Sequence, residues 1–127
     1  MAIKNTTRTT CIGSISKTEY NALKALYNAT GGNDWQWDPH SAGIRWFFPS
    51  PLTAPCAELP WQRITCDVAP LQLGRPSCVI ATLNLTKLGL TGQLPPEIGN
   101  FSFIHTLRID VNNITGQSKD IIFSYIN

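Results

Sequence analysis

The feature that most constrains this chain is an internal repeat of 24 residues between positions 80 and 116. The first copy reads Ile80-x-x-Leu83-x-Leu85-x-x-Leu88-x-Leu90-Thr91-Gly92, and the second reads Ile104-x-x-Leu107-x-Ile109-x-x-Asn112-x-Ile114-Thr115-Gly116. Self-similarity at a fixed period is typical of stacked architectures, in which each unit buries its apolar face only against its neighbours. The repeat therefore predicts coils that stack on one another.

Within each copy the apolar residues alternate in a way that predicts a short strand. Leu83 and Leu85 point inward, and Leu107 and Ile109 do the same one coil later. Asn112 stands where a buried amide can bond the backbone groups of adjacent coils, a place that Leu88 takes in the first coil. The outward neighbours form a candidate concave binding face, which consists of Thr82, Asn84, Thr86, Thr106, Arg108 and Asp110.

Two segments resemble the plant-type leucine-rich repeat (LRR). Residues 90–100, Leu-Thr-Gly-Gln-Leu-Pro-Pro-Glu-Ile-Gly-Asn, resemble its L-T-G-x-I/L-P-x-x-I-G hallmark. Residues 55–67, with Pro55-Cys56, Trp61 and Cys66, resemble its N-terminal cap motif P-C-x-W-x-G-V/I-x-C. Arg63 departs from the Gly that is usual in that motif, which leaves the shape of the local turn open.

Residues 25–35, Ala-Leu-Tyr-Asn-Ala-Thr-Gly-Gly-Asn-Asp-Trp, resemble the cap helix of LRR proteins from algae and other non-animal eukaryotes. The resemblance covers about residues 17–117, apart from a long insert between the helix and Cys56. It implies an α/β fold, a leucine-rich-repeat solenoid fragment with an N-terminal helical, disulfide-bonded cap.

The pattern divides the chain into four parts. We expect a flexible N-terminal arm over 1–15 that is held only through Cys11, a cap over 16–78 and one and a half repeats over 79–117. Residues 118–127 depart from the pattern; we expect a truncation there, the alternative being an apolar tail that folds over the open core.

Local signals in the cap predict one helix, from about Lys17 to Asn28. Ser16 and Glu19 stand at capping-box spacing, in which the hydroxyl accepts from a first-turn amide and the carboxylate reaches back. Gly31-Gly32 end the helix. Prolines and aromatics make residues 33–78 irregular. We expect Trp35, Trp46 and Trp61 to pack as core of the cap; a sugar-binding aromatic platform is the alternative.

Four cysteines allow three pairings. No CxxC occurs, and neither His40 nor His105 stands at metal-ligand spacing from a cysteine, so disulfides are favoured over free thiols and over zinc. The cap resemblance and the short loop between them predict a bond between Cys56 and Cys66. A bond between Cys11 and Cys78 then follows by elimination.

Five Asn-x-Ser/Thr acceptors occur, at Asn5, Asn28, Asn84, Asn100 and Asn113. Together with the even cysteine count they favour an oxidising, glycosylating compartment, so we expect an extracellular or cell-surface location. The first residues show no apolar signal-peptide region. No apolar stretch approaches the roughly 20 residues of a membrane helix, so no membrane contact is expected within the chain.

The sequence offers no pattern for catalysis. Asp34 and Asp38 lack a basic partner by motif, and no nucleophile elbow, phosphate loop or HExxH is present. We therefore expect no enzyme, no metal site and no cofactor. A net charge of +2 from scattered residues gives no basic run, so nucleic acid is not an expected partner.

The resemblance implies an extracellular recognition module for protein, peptide or glycan partners, as the N-terminal part of an LRR receptor-like protein. The alternatives are a secreted LRR inhibitor of a hydrolase and a non-functional truncated remnant. Six outward residues offer far less than the roughly 800 Å² per partner of a standard interface. We therefore expect that this chain alone binds no partner tightly.

Overall fold

A computed structural model describes residues 11–70 and 77–116 and has a mixed α/β fold with one helix and five short strands in those ranges. Short 3-10 turns lie at Gly32–Asp34, Ala54–Cys56 and Pro96–Asn100. The regular elements, in chain order, are α1 (Lys17–Ala29), β1 (Ile64–Val68), β2 (Cys78–Asn84), β3 (Thr91–Gln93), β4 (Thr106–Arg108) and β5 (Asn113–Thr115). The expected off-pattern tail at 118–127 and the acceptor Asn5 lie outside the described residues.

Helix α1 begins and ends where the sequence signals predict, to within one residue. The Ser16 hydroxyl accepts from the Glu19 amide at 3.0 Å and so satisfies one of the free N–H groups of the first turn. At the other end the Thr30 amide donates to the carbonyl of Leu26, and Gly31 follows in the left-handed conformation at φ 73°. The helix thus ends by the glycine mechanism that its sequence indicates.

The second half of the expected capping box does not form. The Glu19 carboxylate does not reach back to Ser16; its Oε1 accepts from the backbone amide of Ile80 in β2, at 3.0 Å. Glu19 is only 4% exposed, and burial raises the pKa of its carboxyl from the ordinary 4.5 to about 7. The long-range bond replaces the local one because β2 brings an amide to the first turn of the helix.

Two parallel ladders stack the second copy of the repeat on the first. In the three-stranded sheet β1-β2-β4, β2 pairs with β4 in the register Thr82 to Thr106 and Leu83 to Leu107. That offset is the 24 residues of the sequence repeat. In the smaller β3-β5 sheet Gly92 faces Ile114, two residues short of its sequence equivalent Gly116.

The region expected to be irregular, 33–78, contains one regular strand. Strand β1 runs antiparallel to β2, with Ile64 opposite Leu83 and Asp67 opposite Val79, and the register shifts between Thr65 and Cys66. The sequence interpretation missed β1 because prolines and aromatics dominate its surroundings. The alternation of a buried Ile64, an exposed Thr65 and a buried Cys66 is the signal that was available.

The cap core is aromatic. Trp35, Trp46 and Trp61 are only 4%, 3% and 1% exposed, which confirms the prediction that they pack as core. Trp46 and Trp61 stack with ring centroids 5.7 Å apart. Two of the indoles also bond backbone: Trp35 Nε1 donates to Thr30 O at 3.0 Å, and Trp46 Nε1 donates to Gln62 O at 2.8 Å.

Two disulfides tie the cap together, and they join the two pairs that were expected. Cys56 is bonded to Cys66, and Cys11 is bonded to Cys78 at the start of β2. The bonded cysteines are all buried. The Cys11–Cys78 bond spans 67 residues, so it fixes the N-terminal segment against the first strand of the repeat region.

The expectation of a loose arm is wrong for residues 11–15. Amides along this segment donate to carbonyls of the cap: Cys11 to Cys66, Gly13 to Cys56 and Ile15 to Leu52. The Ile15 side chain is 1% exposed. Backbone hydrogen bonds and the buried Ile15 side chain therefore hold these residues in place, in addition to the disulfide. Residues 1–10 lie outside the described part of the chain.

Candidate functional site

The structure brings the six outward residues of the repeat onto one face of the three-stranded sheet. Their inward neighbours Leu83, Leu85 and Leu107 are 0%, 0% and 8% exposed. Since side chains alternate along a strand, the intervening residues point away from the core. The outward residues of the first copy are half-buried: Thr82, Asn84 and Thr86. Those of the second copy are exposed: Thr106, Arg108 and Asp110.

The charged residues of this face are paired with each other. Arg108 donates to Asp110 through Nη2 at 3.0 Å and through Nε at 3.3 Å. This side-chain bond is the largest of the influences that hold the pKa of the Asp110 carboxyl below its usual range. Both side chains remain about half exposed, at 54% and 53%. The pair therefore adds little to stability, and its unused donors and acceptors stay available to a partner.

Neighbouring copies also touch through polar groups. The Thr86 hydroxyl donates to Asp110 Oδ1 at 3.1 Å, across the 24 residues of the repeat. Asn84 lies opposite Arg108 in the ladder, and its own Oδ1 accepts from the Thr86 amide at 3.3 Å. The face is thus a connected set of hydroxyl, amide and charged groups.

Strand β1 adds a residue to the face that sequence reasoning did not include. Thr65 is exposed and pairs with Thr82, which in turn pairs with Thr106. The three threonines form a row across all three strands. Because cross-strand neighbours lie about 4.8 Å apart, the row extends the face toward the cap.

Arg63, at the position where the sequence resemblance leads us to expect glycine, has a left-handed backbone conformation. Its φ is 73°, in the region that glycine adopts most readily. Its guanidinium Nη1 donates to the carbonyls of Asn84 at 3.3 Å and Thr86 at 3.5 Å. These bonds offset part of the strain of a side chain in that conformation and brace the end of β2 from the cap side.

Asn112 holds the two copies in register below the face. Its Oδ1 accepts from the amides of Leu88, Gly89 and Leu90, at 3.2, 2.9 and 2.9 Å. Its Nδ2 donates to Leu85 O at 2.8 Å in the first copy and to Ile109 O at 2.9 Å in its own. One amide side chain therefore satisfies backbone groups of both coils, which is the role the sequence predicts for it.

A depression of about 410 Å³ adjoins the face at the second copy. Arg108 and Asp110 line it from the face side, so two of the candidate residues border an apolar recess. The remaining residues that line it are Leu107, Ile109, Val111, Asn112 and Ile114. A partner that engaged the ion pair could place an apolar side chain here.

Of the two carboxylates considered for catalysis, Asp38 stabilises a loop. Asp38 accepts from the His40 amide at 2.9 Å and from the Ser41 hydroxyl at 3.3 Å, and the His40 bond contributes most to lowering the pKa of Asp38. Asp34 lies in the 3-10 turn after α1.

Within residues 11–70 and 77–116, no group of three or more metal-ligating side chains is placed together. The single helix of that part of the chain is too short to cross a bilayer. A comparison of the chain with models of known protein families finds no family that matches it.

Proposed function

We propose that this chain is an extracellular recognition module of the leucine-rich-repeat type, in which a disulfide-bonded cap precedes the first coils of a solenoid. One observation carries the proposal: two copies of a 24-residue unit pair in register and present the same positions outward. A fold that repeats its exposed positions on a constant core frame can vary those positions freely, which suits binding.

The chemistry of the face supports a polar partner. Threonine hydroxyls, the Asn84 amide and the Arg108–Asp110 pair can each donate or accept hydrogen bonds. None of the six outward residues of this face is aromatic, so stacking on sugar rings is not its main means of binding. A protein or peptide that offers backbone and carboxylate groups fits it best.

The cap supports the extracellular part of the proposal. Two buried disulfides, and no free cysteine among the described residues, are what an oxidising compartment produces. The exposed acceptors for N-linked glycans point to the same compartment. Both features agree with a receptor-like or secreted protein.

Binding to a displayed random peptide library tests the proposed function. The disulfide-bonded chain is panned against the library, and selected peptides are titrated by calorimetry with the wild type and with the double variant Arg108→Ala/Asp110→Ala. We expect weak selection, with Kd above about 1 µM, because the face is small. The double variant should weaken binding at least about tenfold, since it removes the charged groups of the face.

The matched control is Lys24→Ala, which removes an exposed charge from α1 on a different surface. Binding of the selected peptides by this control should equal that of the wild type. Peptides that bind the double variant as tightly as the wild type would place the site elsewhere and overturn the proposal. Sub-micromolar binding that Arg108→Ala alone abolishes would instead show that two coils already suffice.

A further inference from the structure

We propose that Asn100 and Asn113 are glycosylated and Asn84 is not, so that the three-stranded sheet remains a glycan-free face for the partner. The inference rests on the proposed function, because it assumes passage through a glycosylating compartment. It goes beyond that function by separating acceptors that look equivalent in sequence. The separation follows from where the fold places each tripeptide.

Asn84 lies in the least accessible setting of the three. It ends β2, the middle strand of the three-stranded sheet, and its side chain is half-buried. Its Oδ1 accepts from the Thr86 amide at 3.3 Å, and its carbonyl accepts from the Arg63 guanidinium. Arg108 lies directly opposite it on β4. An enzyme that grips an extended tripeptide would have to break this pairing.

The hydroxyl of the Asn84 tripeptide is also engaged. Thr86 is half-buried and donates its hydroxyl proton to Asp110 at 3.1 Å. Glycosyl transfer depends on the hydroxyl two residues after the asparagine, since only Ser or Thr completes the acceptor. In the folded chain both ends of this acceptor are therefore already bonded within the sheet.

Asn100 differs in both respects, and Asn113 differs in the exposure of its asparagine and threonine. Asn100 ends the 3-10 turn Pro96–Asn100, and Asn100 and its hydroxyl partner Ser102 are exposed. Asn113 and Thr115, which completes its tripeptide, are also exposed, in the two-stranded sheet; the Thr115 hydroxyl donates to the Gly92 carbonyl at 3.2 Å but stays at the surface. The acceptor at Asn28 is not accessible, because Thr30, which completes its tripeptide, is buried and donates its hydroxyl to the Leu26 carbonyl at 2.6 Å.

The two accessible acceptors share one wall of the molecule, away from the candidate face. The turn that carries Asn100 packs against α1. Strand β5, which carries Asn113, pairs with β3, and the Thr91 amide of β3 donates to Thr30 at the end of α1. Glycans here would solubilise the helix and second-sheet side. They would leave the row of Thr65, Thr82 and Thr106 open.

The modification is a group transfer from a saccharide carried on a lipid diphosphate. The asparagine Nδ2 forms a bond to the anomeric carbon, and the bond between that carbon and the diphosphate oxygen breaks. The lipid diphosphate leaves with the electron pair, and the proton lost from Nδ2 passes to a base of the transferring enzyme. No oxidant or reductant is required.

Site occupancy measured on the wild-type chain tests the proposal. The chain is secreted from a eukaryotic host behind a heterologous signal peptide and treated with peptide-N-glycosidase in heavy-oxygen water. Peptide mass spectrometry then detects each asparagine converted to aspartate. We expect Asn100 and Asn113 to be modified in most molecules and Asn84 in fewer than about a tenth.

Gel mobility of single variants provides the second measurement. Asn100→Gln and Asn113→Gln should each remove one glycan, and Asn84→Gln should remove none. Occupied Asn84, or unmodified Asn100 and Asn113 in the secreted chain, would overturn the inference. Either outcome leaves the proposed function unaffected, because that function is tested separately, by peptide binding to the unglycosylated wild type and to the Arg108→Ala/Asp110→Ala variant.

Discussion

The cap and the repeat region hold their backbones by different means. In the cap, contacts with other segments hold the long irregular stretches in place. These contacts are ring packing, such as that of Tyr20, Phe48 and Trp61, and disulfides. In the repeat region, strands as short as three residues are held by parallel ladders, whose offset is the 24 residues of the repeat between β2 and β4 and two residues less between β3 and β5. The cap therefore depends on contacts that are distant in sequence, and the repeat depends on its own period.

The backbone angles make the same distinction. Lys87 and Val111 stand at equivalent positions of the two copies, and both have a positive φ, of 60° and 57°. Gly92 and Gly116 are also one period apart, with φ of 75° and 87°. An unfavourable turn conformation that recurs at the repeat period is specified by the stacked frame, because neither Lys nor Val favours it. In the cap, the left-handed turn at Arg63 is instead accompanied by specific side-chain bonds.

The largest expected effect comes from the long-range disulfide. Replacing Cys11 and Cys78 together by Ala should lower the free energy of unfolding by about 4 kcal/mol, because the bond closes a loop between residues 67 apart. Replacing Cys56 and Cys66, which are 10 apart, should cost about 3 kcal/mol. Urea unfolding of the two double variants under oxidising conditions measures the difference. The two pairs are similarly buried, so each serves as control for the other.

That comparison also tests how the two regions are joined. If the repeat depends on the cap, loss of the Cys11–Cys78 bond should abolish protection of the Leu83 and Leu107 amides in hydrogen exchange. Loss of Cys56–Cys66 should leave more of that protection. Equal losses of stability and of protection in both variants would contradict the distinction between a cross-region link and a link within the cap.

The next effect is confined to the repeat. Asn112→Ala should lower the free energy of unfolding by about 3 kcal/mol, because the amides of Leu88, Gly89 and Leu90 and three carbonyls lose their shared partner. Asn113→Ala, next to it but exposed, should change stability by less than about 0.5 kcal/mol. Thermal or urea unfolding of the unglycosylated proteins compares them. Equal effects at the two positions would mean that the period, without the amide, holds the coils together.

Sequence reasoning succeeded where information is periodic. The 24-residue offset of β2 and β4, the inward leucines and the position of Asn112 all follow from aligned residues, since a stacked repeat copies its contacts. The Cys56–Cys66 pair was expected from the resemblance to a cap motif and the short loop, and the Cys11–Cys78 pair followed by elimination. The outward face followed from simple alternation along the strand.

Sequence reasoning failed where the structure depends on contacts between distant segments that no local pattern specifies. The alternation at Ile64, Thr65 and Cys66 could have indicated strand β1, but the shifted register in which β1 pairs with β2 cannot be read from the local sequence. The second sheet pairs Gly92 with Ile114, a register two residues short of the sequence repeat that the repeat itself does not predict. Residues 11–15 fall in the stretch expected to be a flexible arm, yet amides along them have carbonyl partners in the cap that are 37 or more residues away in sequence.

The smallest of the expected effects lies at the junction of the two regions, where Glu19 of α1 meets the amide of Ile80 in β2. The carboxyl pKa is about 7 in the folded chain against 4.5 ordinarily. The folded state therefore holds the proton more tightly, and the resulting stabilisation is complete below pH 4.5 and is lost as the pH rises through about 7.

Glu19→Gln keeps an oxygen acceptor for Ile80 and removes the titration. Relative to this variant, the wild type should lose on the order of 2 kcal/mol of unfolding free energy between pH 4 and pH 8. Urea unfolding of both proteins at each pH across that range measures the difference. A difference that stays constant with pH would mean that the carboxylate is solvated at the junction and that the cap helix and the sheet are not coupled through its proton.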